Sequence, residues 1–64
     1  MKLTLEQVIE KIDANTKVVC DIEYEKQKLS DLLMGLLSYG FITVETYQQA
    51  MNYVFVKKVW YAYA

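Results

Sequence analysis

Histidine, arginine and proline are missing from this 64-residue chain, and cysteine occurs once, at position 20. A single cysteine allows no intrachain disulfide, and without histidine a conventional structural zinc site is excluded. The same lack of histidine removes the usual activation of a serine or cysteine nucleophile. Cys20, Ser30, Ser38 and the threonines therefore have no base placed by any motif, which argues against an enzyme. Arginine is the preferred reader of guanine and a major phosphate ligand. With a net charge of −1 and no basic run beyond Lys57-Lys58, the chain is a poor nucleic-acid binder. Glycine occurs twice, at isolated positions, so no phosphate-cradling loop is formed. Gly35 reads as a site where a neighbouring element approaches closely. The longest uncharged stretch, Leu32 to Val44, is 13 residues interrupted by Gly35, Ser38, Gly40 and Thr43, whereas a spanning helix needs about twenty. No apolar segment of a secretory signal follows Lys2. These absences predict a soluble, cytoplasmic protein with a reduced Cys20, no metal or other cofactor, and neither nucleic acid nor membrane as partner.

What is present is unevenly divided. Leu32 to Ala64 carries three charges (Glu45, Lys57, Lys58) of fifteen, and eight of the nine aromatic residues. One domain of this size buries only about 60% of the surface of its unfolded chain. Small domains are usually helped by disulfides, a metal or oligomerisation. Only oligomerisation remains here, and it suits the apolar second half.

Thr4-Leu5-Glu6-Gln7 has the form of a capping box. Leu5, Val8, Ile9 and Ile12 follow at helical spacing, which predicts a helix over 5–13. Asp13-Ala14-Asn15-Thr16 supplies turn formers. From Lys17 the period changes: Val18, Cys20, Ile22 and Tyr24 alternate with Val19, Asp21, Glu23 and Glu25, the pattern of a strand over 17–25 with one wet face. A rival heptad ladder runs from Met1 through Leu5, Val8 and Ile12 to Ile22, Lys26, Leu29, Leu33 and Leu36, and would fuse these elements into one long helix. Ser30-Asp31 reads as a helix cap, Gly40 as the left-handed residue closing that helix, and Thr43 as the cap of the next. Tyr47, Ala50, Met51 and Val54 recur at i, i+3, i+4 and i+7, so a helical hairpin spans about 30–51. Residues 53–63 are rich in Val, Tyr, Phe and Trp, which fit a pleated surface. The expected fold is thus a single α+β domain over 1–64: short helix, strand, helical hairpin, and an aromatic β tail pairing with the first strand. The all-α alternative is a long helix plus the hairpin.

The opening from Met1-Lys2-Leu3-Thr4 through Asp13-Ala14-Asn15-Thr16-Lys17-Val18-Val19 resembles small uncharacterised early-type phage proteins of low-GC Gram-positive bacteria. Those proteins begin with a short helix, an Asp/Asn/Thr turn and a strand, and often finish with a Tyr- and Val-rich segment. Leu33 to Tyr47, with its Gly40-Phe41-Ile42-Thr43 corner, similarly resembles helical hairpins of short phage and bacterial modules. The resemblance implies a viral protein that binds host proteins, including anti-phage defence systems. It carries over no functional residue.

Asp21, Glu23 and Glu25 would sit about 7 Å apart on one strand face. Three carboxylates suit a divalent cation, but with no second cluster to complete the shell they read as a solvated face. Cys20 reads as a small core residue. The aromatic tail is the candidate contact surface, because Tyr, Trp and Phe bury much area at low entropy cost. Tyr53, Phe55, Trp60, Tyr61 and Tyr63 are the expected interface residues. The acidic face of Glu6, Glu10, Asp21, Glu23 and Glu25 is the second. The expected function is a non-enzymatic protein-binding module that forms a homo-oligomer, most simply a dimer, and inhibits or modulates a host protein by occupying its surface. A structural or assembly subunit and a small transcriptional regulator are the alternatives.

Overall fold

A computed structural model describes residues 2–16 and 21–60. Three α-helices follow in order: α1 (Leu5–Asn15), α2 (Ile22–Ser38) and α3 (Val44–Asn52), with α3 continuing into a π-helical turn over Tyr53–Lys57. Among the described residues there is no strand, so the fold is all-helical and the α+β expectation is wrong.

The capping box of α1 forms as read. The Gln7 backbone N–H donates to Thr4 Oγ1 at 3.2 Å, and the Thr4 N–H donates to Gln7 Oε1 at 2.9 Å. Val8 and Ile12, one turn apart, are fully buried on this helix. At its end the Thr16 hydroxyl, buried with the core, donates to the Ile12 carbonyl at 2.6 Å.

The expected strand 17–25 is overturned over Ile22–Glu25, which form the first turn of α2; positions 17–20, with Cys20, lie outside the described residues. Asp21 caps α2 by accepting the Tyr24 N–H at 3.1 Å. Glu23 and Glu25 stand in the first turn, where carboxylates favour the positive end of the helix dipole. The 3.6-residue period of Ile22, Lys26, Leu29, Leu33 and Leu36 outweighs a two-fold alternation that only Ile22 and Tyr24 sustain beyond Asp21. Tyr24 consequently faces solvent. The fused helix of the all-α alternative is not formed either, since Thr16 ends α1 and Asp21 starts α2, both with non-helical backbone. Ser30-Asp31 is no cap: both residues lie inside α2, where Asp31 accepts a hydrogen bond from Gln27, one turn earlier, at 3.2 Å.

The helical hairpin is present. Tyr39 is the last α-region residue of α2, and Gly40 follows with φ +79°. The Gly40 N–H donates to the Leu37 carbonyl at 3.1 Å and the Phe41 N–H to the Leu36 carbonyl at 2.8 Å. These two bonds form a Schellman closure. Ile42 turns into the core behind it, and Thr43 caps α3 by accepting the Thr46 N–H at 3.1 Å. The corner also receives the N-terminal segment: the Leu3 N–H donates to the Phe41 carbonyl at 2.8 Å, and Lys2 Nζ to the Gly40 carbonyl at 2.7 Å. The start of α1 therefore lies at the corner end of the hairpin, and α2 begins at the other end.

The core consists of Val8 and Ile12 from α1, Leu29 and Leu33 from α2, Ile42, Ala50 from α3 and Val54 from the π-turn. α3 packs on both other helices. No added Cβ at Gly35 would meet an atom within 4 Å, which overturns the reading of a close approach there.

The expected β tail is helical over Tyr53–Lys57 and carries no strand pairing over 58–60. The apolar period of α3 runs through Val54, so the chain keeps helical backbone until that residue is buried. The described part of the strand it was to pair with is helical from Ile22. The turn closes with the Lys58 N–H donating to the Tyr53 carbonyl at 2.8 Å.

Candidate protein interface

The segment that follows α3 is fastened to α1 through Tyr53 and Lys58 by one carboxylate. Asp13 Oδ1 accepts from the Tyr53 hydroxyl at 2.7 Å and from Lys58 Nζ at 2.8 Å. The Lys58 side chain is only 8% exposed, against 48% for Asp13. Its ammonium lies 5.2 Å from the Trp60 ring centre and 5.9 Å from that of Tyr53, within cation–π range of both. The Trp60 indole N–H donates to the Val54 carbonyl at 3.2 Å, and the ring packs on the core. Partial burial pushes the Asp13 carboxyl up, but the hydrogen bonds from Lys58 and Tyr53 and the charge of Lys58 together hold it below its ordinary range. The Tyr53 phenol is pushed up to about 12, first by its hydrogen bond to Asp13, then by burial and by the Asp13 charge.

Tyr53 and Trp60 thus serve the chain's own packing. Their polar tips are satisfied internally, as buried Tyr and Trp require. Phe55 differs: it is 45% exposed, with Lys26 Nζ 5.8 Å from its ring centre. Val56 and Val59 beside it in sequence are 73% and 67% exposed. Tyr61 and Tyr63 lie outside the described residues. The valines escaped a composition-based reading because aromatic residues drew it.

The acidic residues do not form one surface. Glu6 and Glu10 are exposed on α1, with Glu6 at the corner end. Asp21, Glu23 and Glu25 belong to the opposite end, at the start of α2. There a helix replaces the strand that would have aligned the three, and Asp21 is committed to capping. Glu25 is mostly covered; its Oε1 takes a long contact of 3.5 Å from Lys28, and its Oε2 has no partner among the described residues. Among the described residues no group of three acidic, cysteine or histidine side chains is placed to hold a metal ion. No described helix is long and apolar enough to cross a membrane.

Compared with known protein families, curated proteins and solved structures, the chain finds no match in any of the three. The surface must therefore be read from its own geometry.

Two surfaces stand out. One is the run of exposed apolar residues Phe55, Val56 and Val59. The other is a groove of about 300 Å³ between α1 and α3, walled by Leu5 and Ile9 on one side and by Gln48, Gln49 and Asn52 on the other. Tyr53 and Lys57 also line it.

Proposed function

We propose that this chain is a non-enzymatic protein-binding module that self-associates and acts by occupying the surface of a partner, as a phage-encoded modulator of a host protein in the host cytoplasm. The observation that supports it is the apolar ridge. Phe55, Val56 and Val59 are exposed within a few residues of Val54 and Trp60, which the same segment packs inward. A domain with so small a core gains from covering such a ridge, and exposed apolar clusters mark association sites. The phage origin rests on the sequence resemblance alone.

Light scattering across a hundredfold concentration range tests self-association, with Val56→Lys as the variant. Val56 is 73% exposed, so lysine there leaves the fold intact while charging the ridge. Trp60→Ala is the wrong variant, because Trp60 belongs to the internal packing. A dimer in the wild type that dissociates in the variant is the expected result. A monomer throughout overturns the homo-oligomer.

A further inference from the structure

The groove between α1 and α3 has two unlike walls. Leu5 and Ile9, one turn apart and half-buried, form an aliphatic side. Facing them, Gln48, Gln49 and Asn52 present primary amides on exposed residues, and none of the three makes a side-chain hydrogen bond among the described residues. Each amide offers two N–H donors and a carbonyl acceptor, the complement of a peptide backbone. Lys57 is the charged residue of the lining. Asp13 stands nearby, bonded to Tyr53, but its charge is already matched by Lys58 at 2.8 Å. Lys57 therefore leaves this end of the groove net positive. Nine positions separate Gln48 from Lys57; at a helical rise of about 1.5 Å per residue this is roughly 13 Å. An extended chain of about four residues covers that span.

We infer that the groove binds an extended peptide segment of a partner protein, with an aliphatic side chain against Leu5 and Ile9 and an Asp or Glu carboxylate at Lys57. The inference rests on the protein-binding reading but uses residues other than Phe55, Val56 and Val59. A phosphate-rich ligand would meet one cation here, too few to hold it.

The test is a titration of the ¹⁵N-labelled full chain, followed by NMR, with the capped peptide acetyl-Leu-Ser-Leu-Asp-amide and its Asn-terminated counterpart. The side-chain NH₂ signals of Gln48, Gln49 and Asn52 should shift together and saturate. The Asn peptide should bind about two- to fivefold more weakly, the worth of one exposed ion pair. Lys57→Gln should erase that preference, and Gln48→Ala with Gln49→Ala should weaken both peptides equally. All these positions are exposed, and the dispersion of the remaining signals reports that the fold is kept. Absence of a saturable shift up to about 10 mM, a dissociation constant tenfold weaker than about 1 mM, overturns the inference. So does a preference for the Asp peptide that survives Lys57→Gln. Light scattering of the same sample reads self-association separately. A monomer that binds the peptide refutes the dimer alone, and a dimer that ignores the peptide refutes the groove alone.

Discussion

Asp13 carries more of this structure than its place in a turn-forming run suggests. The opening sequence shows it only as part of Asp13-Ala14-Asn15-Thr16, and nothing local reveals that Tyr53 and Lys58, some forty residues on, will converge on one of its oxygens. For the same reason aromatic content did not reveal the internal bonds of Tyr53 and Trp60: composition reports a ring that needs cover, not which chain supplies it. The titration behaviour follows with definite signs. Asp13 is more acidic folded than unfolded, so its contribution is present above its ordinary value of about 4 and is lost as pH falls below that. Tyr53 moves the other way, to about 12. Its contribution is complete below about 10, the unfolded value, and is lost as pH rises from there through the folded value. Stability measured by denaturant melts should form a plateau between these limits. Tyr53→Phe should lower the plateau by about 1–2 kcal/mol, the low end for a hydrogen bond to a charged group because Asp13 is half exposed, and flatten the alkaline limb. Asp13→Asn should flatten the acid limb. An alkaline limb that persists in Tyr53→Phe would assign it to another group.

At the scale of elements, the parts written in local chemistry were legible and the parts decided by packing were not. The Thr4–Gln7 box, the Thr43 cap and the Gly40 closure depend on residues within one turn of each other, and all three are found where the sequence places them. The expected strand failed over Ile22–Glu25 because its two-fold alternation is short, whereas the helical period it competes with continues through Leu36. The tail failed because β-propensity reflects fit to a sheet, and no described residues build one. The two glycines give opposite predictions. Gly40 sits at φ +79° with only Lys2 Nζ, 3.9 Å away, near an added Cβ. Gly40→Ala therefore meets backbone strain alone and should cost about 1–2 kcal/mol, some 4–8 °C in Tm per kcal/mol for a domain of this size. Gly35 lies inside α2 with open space around it, so Gly35→Ala should stabilise by about 0.5–1 kcal/mol. Thermal melts of the two variants should bracket the wild type. A stabilised Gly40→Ala would refute the left-handed closure.

At the scale of the whole molecule, the described residues form three helices sharing a core of seven apolar residues, of which Ala50 is the smallest. Most of that core was legible from spacing: Val8, Ile12, Leu33, Ala50 and Val54 all fall on apolar stripes of the sequence. Ile42 joins them from a corner, where no period applies. Of the exposed apolar residues Phe55, Val56 and Val59, only Phe55 was expected from the sequence, because the alternation assumed there points residues elsewhere than a π-turn does. If the ridge joins two copies, folding and association are linked by mass action, and Tm should rise with protein concentration in the wild type. Val56→Lys should melt at a concentration-independent temperature. A wild type that is equally indifferent to concentration would separate the ridge from self-association.

Trp60 is the one tryptophan of the chain, and it rests against the ammonium that holds the tail to α1. Indole emission from this protein is consequently a single-site signal of whether that end of the molecule is seated. As pH falls below about 4 the light should redden as Asp13 takes up its proton, ahead of any loss of helical circular dichroism. The chain thus carries its own optical gauge of the tail, with no label added.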